Sequence, residues 1–295
     1  MEKRIFKSSD TNVMKFVFTG DDIAVEAVLY RYGNFKVRTV ICCSTQCGCP
    51  MGCKFCGTGK MFVRSLTAEE IEEQVHSALE EIDCDTADIE KFQIMFMSMG
   101  EPFLNYENVK RAIVDLHADY PNAQLLISTV APTTLPEHMD DFIKLSNEID
   151  KVGLQFSVHE STDEARGLLV PSRTLTLRGI SEMGEKWAIG TGRRPFFNYC
   201  VHEGNDTQED ADRLASLFAP SVWEATLSVI CEKDETMKAS IDRQLDRINA
   251  FSSKLLGKGI SVRVFNPAGQ DDIGGGCGQL WFFQKWRKEH AVGSV

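Results

Sequence analysis

Cys49-Pro50-Met51-Gly52-Cys53-Lys54-Phe55-Cys56 sets three thiols at a three-then-two spacing in one short segment. Three thiolates this close can hold three irons of a 4Fe–4S cluster and leave the fourth iron open. A fully ligated electron-transfer cluster offers no such site. An open iron can bind a substrate or cofactor, so the run points to chemistry at the cluster. Zinc sites more often show cysteines in Cys-x-x-Cys pairs and need a fourth nearby ligand. Ferredoxin runs have other spacings and supply a fourth cysteine. On spacing alone, a zinc knuckle or a disulfide staple is the alternative.

Outward from this run, short β-rich stretches alternate with helical ones. Residues 37–43 read as a strand that feeds the cysteine loop. Thr67 and Glu70 form a capping box that opens a helix over 67–82. Strands are expected at 92–97, 124–128, 152–158, 195–201, 223–230 and 260–265. Helices are expected at 105–119, 135–146, 174–189, 207–218 and 239–257, the last stopped by Gly257 and Gly259. This alternation predicts an α/β fold, a parallel sheet with right-handed crossovers. Six such units after the cysteine loop would make a partial (β/α)6 TIM-like barrel, its active site at the C-terminal strand ends. Residues 13–18 and 23–31 read as a hairpin split at Gly20-Asp21. Residues 1–36 are therefore expected to form a small N-terminal β extension packed on the barrel, and 37–295 the main domain. Near the other end, the stretch 269–278 is a glycine-rich loop carrying Cys277. It lacks the Lys-Ser/Thr of a phosphate-binding loop.

With 295 residues, the chain can bury a full core. Its 43% hydrophobic and 25% charged content is that of a soluble globular protein. No apolar stretch approaches the ~18 residues of a membrane span, and the first residues lack the apolar core of a signal peptide. Ten cysteines without an export signal imply a reducing compartment, the cytoplasm. The net charge of −11 gives no support to nucleic-acid binding, but local fields outweigh the sum. Acid is concentrated over residues 69–90, which read as a solvated helix face and its loop. Lys54 within the cysteine run and Lys60 and Arg64 after it have no acid among them. In the tail, Lys285, Arg287 and Lys288 lie among Trp281, Phe282, Phe283 and Trp286. That mixture suits base stacking, and equally a terminal amphipathic helix docked on the core.

The stretch from Ile41 to Gly59, with Met97-Ser98-Met99-Gly100-Glu101-Pro102, Ser157-Val158-His159 and Asp271-Asp272-Ile273…Gly276-Cys277-Gly278-Gln279-Leu280, resembles the RlmN/Cfr branch of radical S-adenosylmethionine (SAM) enzymes. The matches fall in family order over residues 12–282. The resemblance implies a radical SAM barrel in which Cys49, Cys53 and Cys56 hold the cluster, whose open iron chelates the amino and carboxylate groups of SAM. Gly100 would allow close backbone approach, Glu101 would bind the SAM ammonium, and Ser128 and Ser157 match family positions that contact SAM. Cys277 matches the methyl-carrying cysteine. One SAM would methylate it, and a second would supply the radical that activates the methyl group for addition to an adenine carbon. Cys42 matches the second catalytic cysteine. It would take the substrate proton, then attack the Cys277 sulfur, releasing product and leaving a disulfide. His159 reads two ways, as support for SAM or substrate, or as a core histidine. Cys43 should face away from Cys42, Cys47 reads as a small packing residue, and Cys84 and Cys200 read as structural.

The expected activity is methylation of an sp2 carbon of adenine, carbon 2 ahead of carbon 8, in ribosomal or transfer RNA, by a monomer with a flavodoxin-type electron donor. Two departures bear on the substrate. RlmN-type enzymes carry an N-terminal accessory domain linked to RNA handling, whereas this sequence opens almost directly on the catalytic segment. Val229-Ile230-Cys231 also stands where the family has Pro-Phe-Asn, whose Asn helps hold SAM. The alternatives are the same chemistry on a free nucleotide or other small molecule, and a non-catalytic iron–sulfur sensor. Retention of Cys42, Glu101 and Cys277 together argues against the sensor.

Overall fold

The computed structural model describes residues 1–229 apart from 22 and 60, residues 237–265, and the single positions 273, 282 and 285. Cys277 and its glycine loop, Ile230-Cys231 and most of the aromatic tail lie outside the described residues.

The chain runs β1 (Glu2–Lys7), β2 (Val13–Thr19), β3 (Ala24–Arg31), β4 (Arg38–Cys43), β5 (Gln46–Cys49), β6 (Met61–Ser65), α1 (Ala68–Leu79), β7 (Lys91–Phe96), α2 (Tyr106–Asp119), β8 (Gln124–Thr129) and α3 (Leu135–Glu148). It continues through β9 (Val152–Ser157), α4 (Asp163–Leu169), α5 (Leu177–Thr191), β10 (Phe196–Cys200), α6 (Gln208–Leu217), β11 (Glu224–Ser228), α7 (Met237–Gly257) and β12 (Ser261–Val264). Ten strands form one sheet in the order β1-β2-β3-β4-β7-β8-β9-β10-β11-β12. From β4 to β12 every pairing is parallel, the expected βα alternation. Among the described residues β1 and β12 are the edges and the sheet does not close. Helices pack on their neighbours in series, α1 on α2, α2 on α3, α3 on α5, α5 on α6 and α6 on α7.

Side chains alternate across a strand, and residues in register share a face. The face under the helices is apolar. Ile41, Ile94, Phe96, Ile127, Leu154, Phe156, Phe197, Tyr199 and Leu227 are all buried there. On the opposite face, Cys42 aligns with Met95, Met95 with Leu126, Ser128 with Gln155, and Ser157 with Asn198. These residues are half-buried and mostly polar. Gln155 Nε2 donates to Ser128 Oγ (3.2 Å), and Ser228 Oγ donates to Asn198 Oδ1 (2.6 Å). A polar inner face inside an apolar shell is the architecture of a lined binding site, not of a second core.

Three elements escaped the sequence reading. The expected hairpin is present as β2–β3; β1 adds to it as a third antiparallel strand, and β3 pairs antiparallel with β4, so the piece continues the main sheet. Its first strand is charged and shows no apolar alternation. Tertiary ion pairs anchor it: Lys3 to Glu80 and Lys7 to Glu81, each at 2.7 Å. The acidic run after α1 thus receives β1 as well as facing solvent. The second missed element is the β5–β6 hairpin, and the third is α4, a single short helix capped by Thr162. The Thr67–Glu70 capping box is present at α1. Arg64 clamps the same Glu70 at 2.7 and 2.8 Å.

Candidate active site

Cys49 is the last residue of β5, and Cys53 and Cys56 lie in the loop that returns to β6. The hairpin pairs Gln46 with Ser65 and Cys49 with Met61. Buried side chains from two other elements tie it down. Gln74 of α1 accepts from Ser44 N (2.8 Å) and donates to Ser44 O (3.0 Å). Asn105 Nδ2 donates to Thr45 O and Leu66 O, both at 2.8 Å, gripping the two ends of the hairpin.

The three thiols lie within one another's electrostatic reach. Burial, reinforced by that proximity, pushes the Cys49 thiol up to about 12 and raises Cys53 further. Binding iron must overcome this cost by stabilising the thiolates and releasing their protons. Among the described residues no group of three His, Cys, Asp or Glu could hold a single metal ion. Cys49, Cys53 and Cys56 are all free thiols. Three soft thiols on one loop are the ligand type that iron–sulfur clusters take.

Gly100 and Glu101 follow β7 at the carboxyl end of the sheet. Gly100 has φ +96°, and a Cβ there would lie 2.8 Å from the Gln46 backbone nitrogen. Glycine is required because the β7 end and β5 touch backbone to backbone. Glu101 is buried. Its Oε1 accepts from Thr129 Oγ1 (2.6 Å) and Phe103 N (3.1 Å), and its Oε2 from Val130 N (2.9 Å). Burial raises the carboxyl to about 7 against these donors. A carboxylate has roughly four lone-pair sites, so Oε2 keeps room for one further donor such as an ammonium.

Cys42, Ser128 and Ser157 share the polar inner face. Cys43 points into the apolar shell, as strand alternation requires, and burial pushes its thiol up to about 12. Cys47 is buried, with its Sγ 3.4 Å from both the Ala24 nitrogen and oxygen, in agreement with a packing role. Cys200 is buried and Cys84 half-buried. His159 is buried in a left-handed conformation (φ +61°). Its Nδ1 accepts from Cys200 N (3.2 Å), and its ring meets Phe55 of the cysteine run edge-on, with centroids 4.9 Å apart. Burial lowers its pKa to about 3, so the ring is neutral. It buttresses the cysteine loop from behind.

Sequence reasoning missed two features. Glu26, fully buried on β3, pairs with Lys15 at 3.4 Å. It lies two residues from Val28, the register partner of Cys42, and so on the same inner face. A lone carboxylate in the apolar run Ala24–Arg31 was the available signal. Arg166 of α4 is buried beside Glu101 and Cys53, and nothing in its local sequence marked it.

Residues 43–183 match the family model of the radical SAM superfamily. The match begins one residue after Cys42 and stops far short of Cys277. It covers the cysteine run, Glu101 and both serines but neither of the two further thiols. A probable dual-specificity RNA methyltransferase RlmN from Heliobacterium modesticaldum is 34% identical over 268 residues, 88% of this chain and 68% of that protein. The chain belongs to the RlmN family. Another RlmN relative, from Thermotoga neapolitana, is 33% identical over 95% of this chain and 78% of its own length. The crystal structure of a radical SAM methyltransferase from Sphaerobacter thermophilus superposes with a TM-score of 0.75 at 30% identity, covering 94% of this chain and 80% of that one. RlmN proteins, as radical SAM enzymes, use a 4Fe–4S cluster and SAM.

Proposed function

We propose that this RlmN-family enzyme methylates carbon 2 of an adenine in ribosomal or transfer RNA, in preference to carbon 8, through a methylated cysteine. The coarser activity, radical SAM RNA methylation, follows from the family. The finer reading rests on one observation. Cys42 lies on the polar inner face with Ser128 and Ser157, whereas its neighbour Cys43 lies in the apolar shell.

Cys49, Cys53 and Cys56 would hold the cluster, and Glu101, Ser128 and Ser157 would orient SAM against it, with His159 as a buttress. Bound there, the two groups supply the methyl group and the one-electron chemistry that activates it. The protein's own part is carried by two thiols. Cys277 would bear the methyl group on sulfur. Cys42 would remove the proton from the substrate carbon and then attack Cys277 Sγ. Having given up that proton, the Cys42 thiolate attacks, the carbon–sulfur bond breaks, an S–S bond forms, and the methylene carbon takes up a proton as the methylated base leaves. Lys54 and Arg173, both exposed, stand by the cysteine loop and offer phosphate contacts that the overall charge of −11 conceals. The reading includes a flavodoxin-type electron donor, a monomer, a cytoplasmic setting and a β extension over residues 1–36.

The test is Cys277→Ala protein, anaerobically reconstituted with iron and sulfide and given reductant, SAM and either RNA fragments or free adenine nucleotides. It should cleave SAM slowly and transfer no methyl to either. Full methylation by this variant would sink the cysteine relay. Wild-type activity on free nucleotides alone would replace RNA as the substrate. Chromatography of the digested RNA against 2-methyladenosine and 8-methyladenosine standards, read by mass spectrometry, separates carbon 2 from carbon 8.

A further inference from the structure

Arg166 is 2% exposed on a seven-residue helix, and its guanidinium joins three separate pieces of chain. Nη2 donates to Val130 O (2.7 Å) and Ser157 O (3.1 Å), at the carboxyl ends of β8 and β9. Nη1 donates to Thr174 Oγ1 (2.7 Å) and Leu175 O (3.2 Å), in the strap that leads from α4 to α5. The same strap reaches the cysteine loop. Lys54 N donates to Leu169 O (3.0 Å), and Ser172 Oγ lies 2.7 Å from Met51 O and 3.0 Å from Pro50 O. Val130 completes the link, because its N–H donates to Glu101 Oε2. One cation thus couples the SAM-facing strand ends to the cluster loop.

An anchor for a short helix needs no buried charge, and burying one is costly unless opposite charge lies close. Here Cys53, Asp163 and Glu101 act on Arg166. Its Nε–H is also buried and has no hydrogen-bond partner among the described residues. Leaving a buried donor unpaired is costly, which points to an acceptor that comes with a ligand. Lysine could not substitute. It carries the charge as a point, without the planar fork that reaches four acceptors at once.

We propose that Arg166 is a positioning residue for SAM, holding Glu101's partner Val130, the Ser157 strand end and the cluster-loop strap in one arrangement, with Nε–H kept for an acceptor brought by the cofactor. This rests on SAM binding between the polar inner face and the cysteine loop. Three proteins decide it: wild type, Arg166→Lys and Ser172→Ala. Hydrogen exchange on the cluster-free proteins reads the loop, and equilibrium dialysis with reconstituted protein reads SAM affinity. The electron paramagnetic resonance shift that SAM produces in the reduced cluster gives a spectroscopic signature. Arg166→Lys should weaken SAM binding about tenfold, the loss expected for charge-assisted hydrogen bonds. It should also diminish the spectral shift and speed exchange over residues 49–56, while amides of α3 keep wild-type protection. Ser172→Ala should speed loop exchange and leave SAM affinity within about twofold, since it removes a single strap contact. Unchanged affinity and spectrum in Arg166→Lys, beside normal wild-type binding, would overturn the role of Arg166 alone. If Arg166→Lys does not fold, unchanged loop exchange in Ser172→Ala overturns the coupling. Wild-type protein that fails to bind SAM would overturn the underlying site reading, and this proposal with it.

Discussion

Gly100→Ala tests whether the β7 end and the cluster hairpin are one rigid unit. The new Cβ would lie 2.7 Å from Gln46 Cβ, 2.8 Å from Gln46 Cγ and 2.8 Å from the Gln46 nitrogen. The last contact is backbone, so no rotamer change relieves it. Three terms add. Holding a non-glycine residue at φ +96° costs about 1–2 kcal/mol. Overpacking against a fixed neighbour costs about 1–3 kcal/mol. Moving Gln46 also loosens the bond from Glu101 N to Gln46 Oε1 (2.9 Å), about 1 kcal/mol more. The expected loss is about 3–6 kcal/mol, a large share of the 5–15 kcal/mol that holds a typical domain. Urea unfolding of the cluster-free protein measures it. Gly153→Ala is the control, because its Cβ would meet only the tip of Leu126 (Cδ2 at 2.5 Å), which can rotate away, at a cost within about 1 kcal/mol. A Gly100→Ala protein as stable as wild type, or a Gly153→Ala protein equally damaged, would refute the rigid-contact argument.

Two other outcomes are expected. Cys42→Ala should trap a covalent RNA–enzyme adduct through Cys277, seen as a mass shift of the protein, and release of free methylated RNA at the wild-type rate would exclude Cys42 from the resolving step. His159 has a folded pKa near 3 against an ordinary 6.5, so its contribution is complete above pH 6.5 and is lost as pH falls toward 3, where the unfolded chain binds a proton the fold refuses. Relative to His159→Asn, which tolerates the left-handed backbone and offers Oδ1 to Cys200 N, wild-type stability should fall by about 2 kcal/mol between pH 7.5 and pH 5. Identical pH dependence of the two proteins in urea titrations would show that His159 is not buried neutral.

Much of the scaffold was legible because its signals are local. The Thr67–Glu70 box marks the start of α1, and the alternation of strands and helices from residue 37 onward yields the parallel sheet within a few residues at most boundaries. The failures share a cause. β1 is a charged strand held by Lys3 and Lys7 reaching acids more than seventy residues away. α4 is too short to show a helical period, and its arginine makes its contacts with β8, β9 and the following loop. The β5–β6 hairpin hides inside a run whose cysteines and glycines read as loop.

By itself the sequence determined the chemistry available: three thiols spaced for an open iron–sulfur site, a Gly-Glu-Pro turn after a strand, and two further thiols outside the shared radical SAM segment. These are short-range patterns, set by which residues follow one another. Tertiary structure decided which of them meet. Sheet register placed Cys42, Ser128 and Ser157 on one polar face and sent Cys43 into the shell, because a strand offers its side chains to opposite faces in turn. Hairpin register brought Lys15 to Glu26, and long-range packing brought Arg166 to Glu101 and Cys53. A buried charge is tolerated only where the fold supplies its partner, and no stretch of contiguous sequence states where that will be.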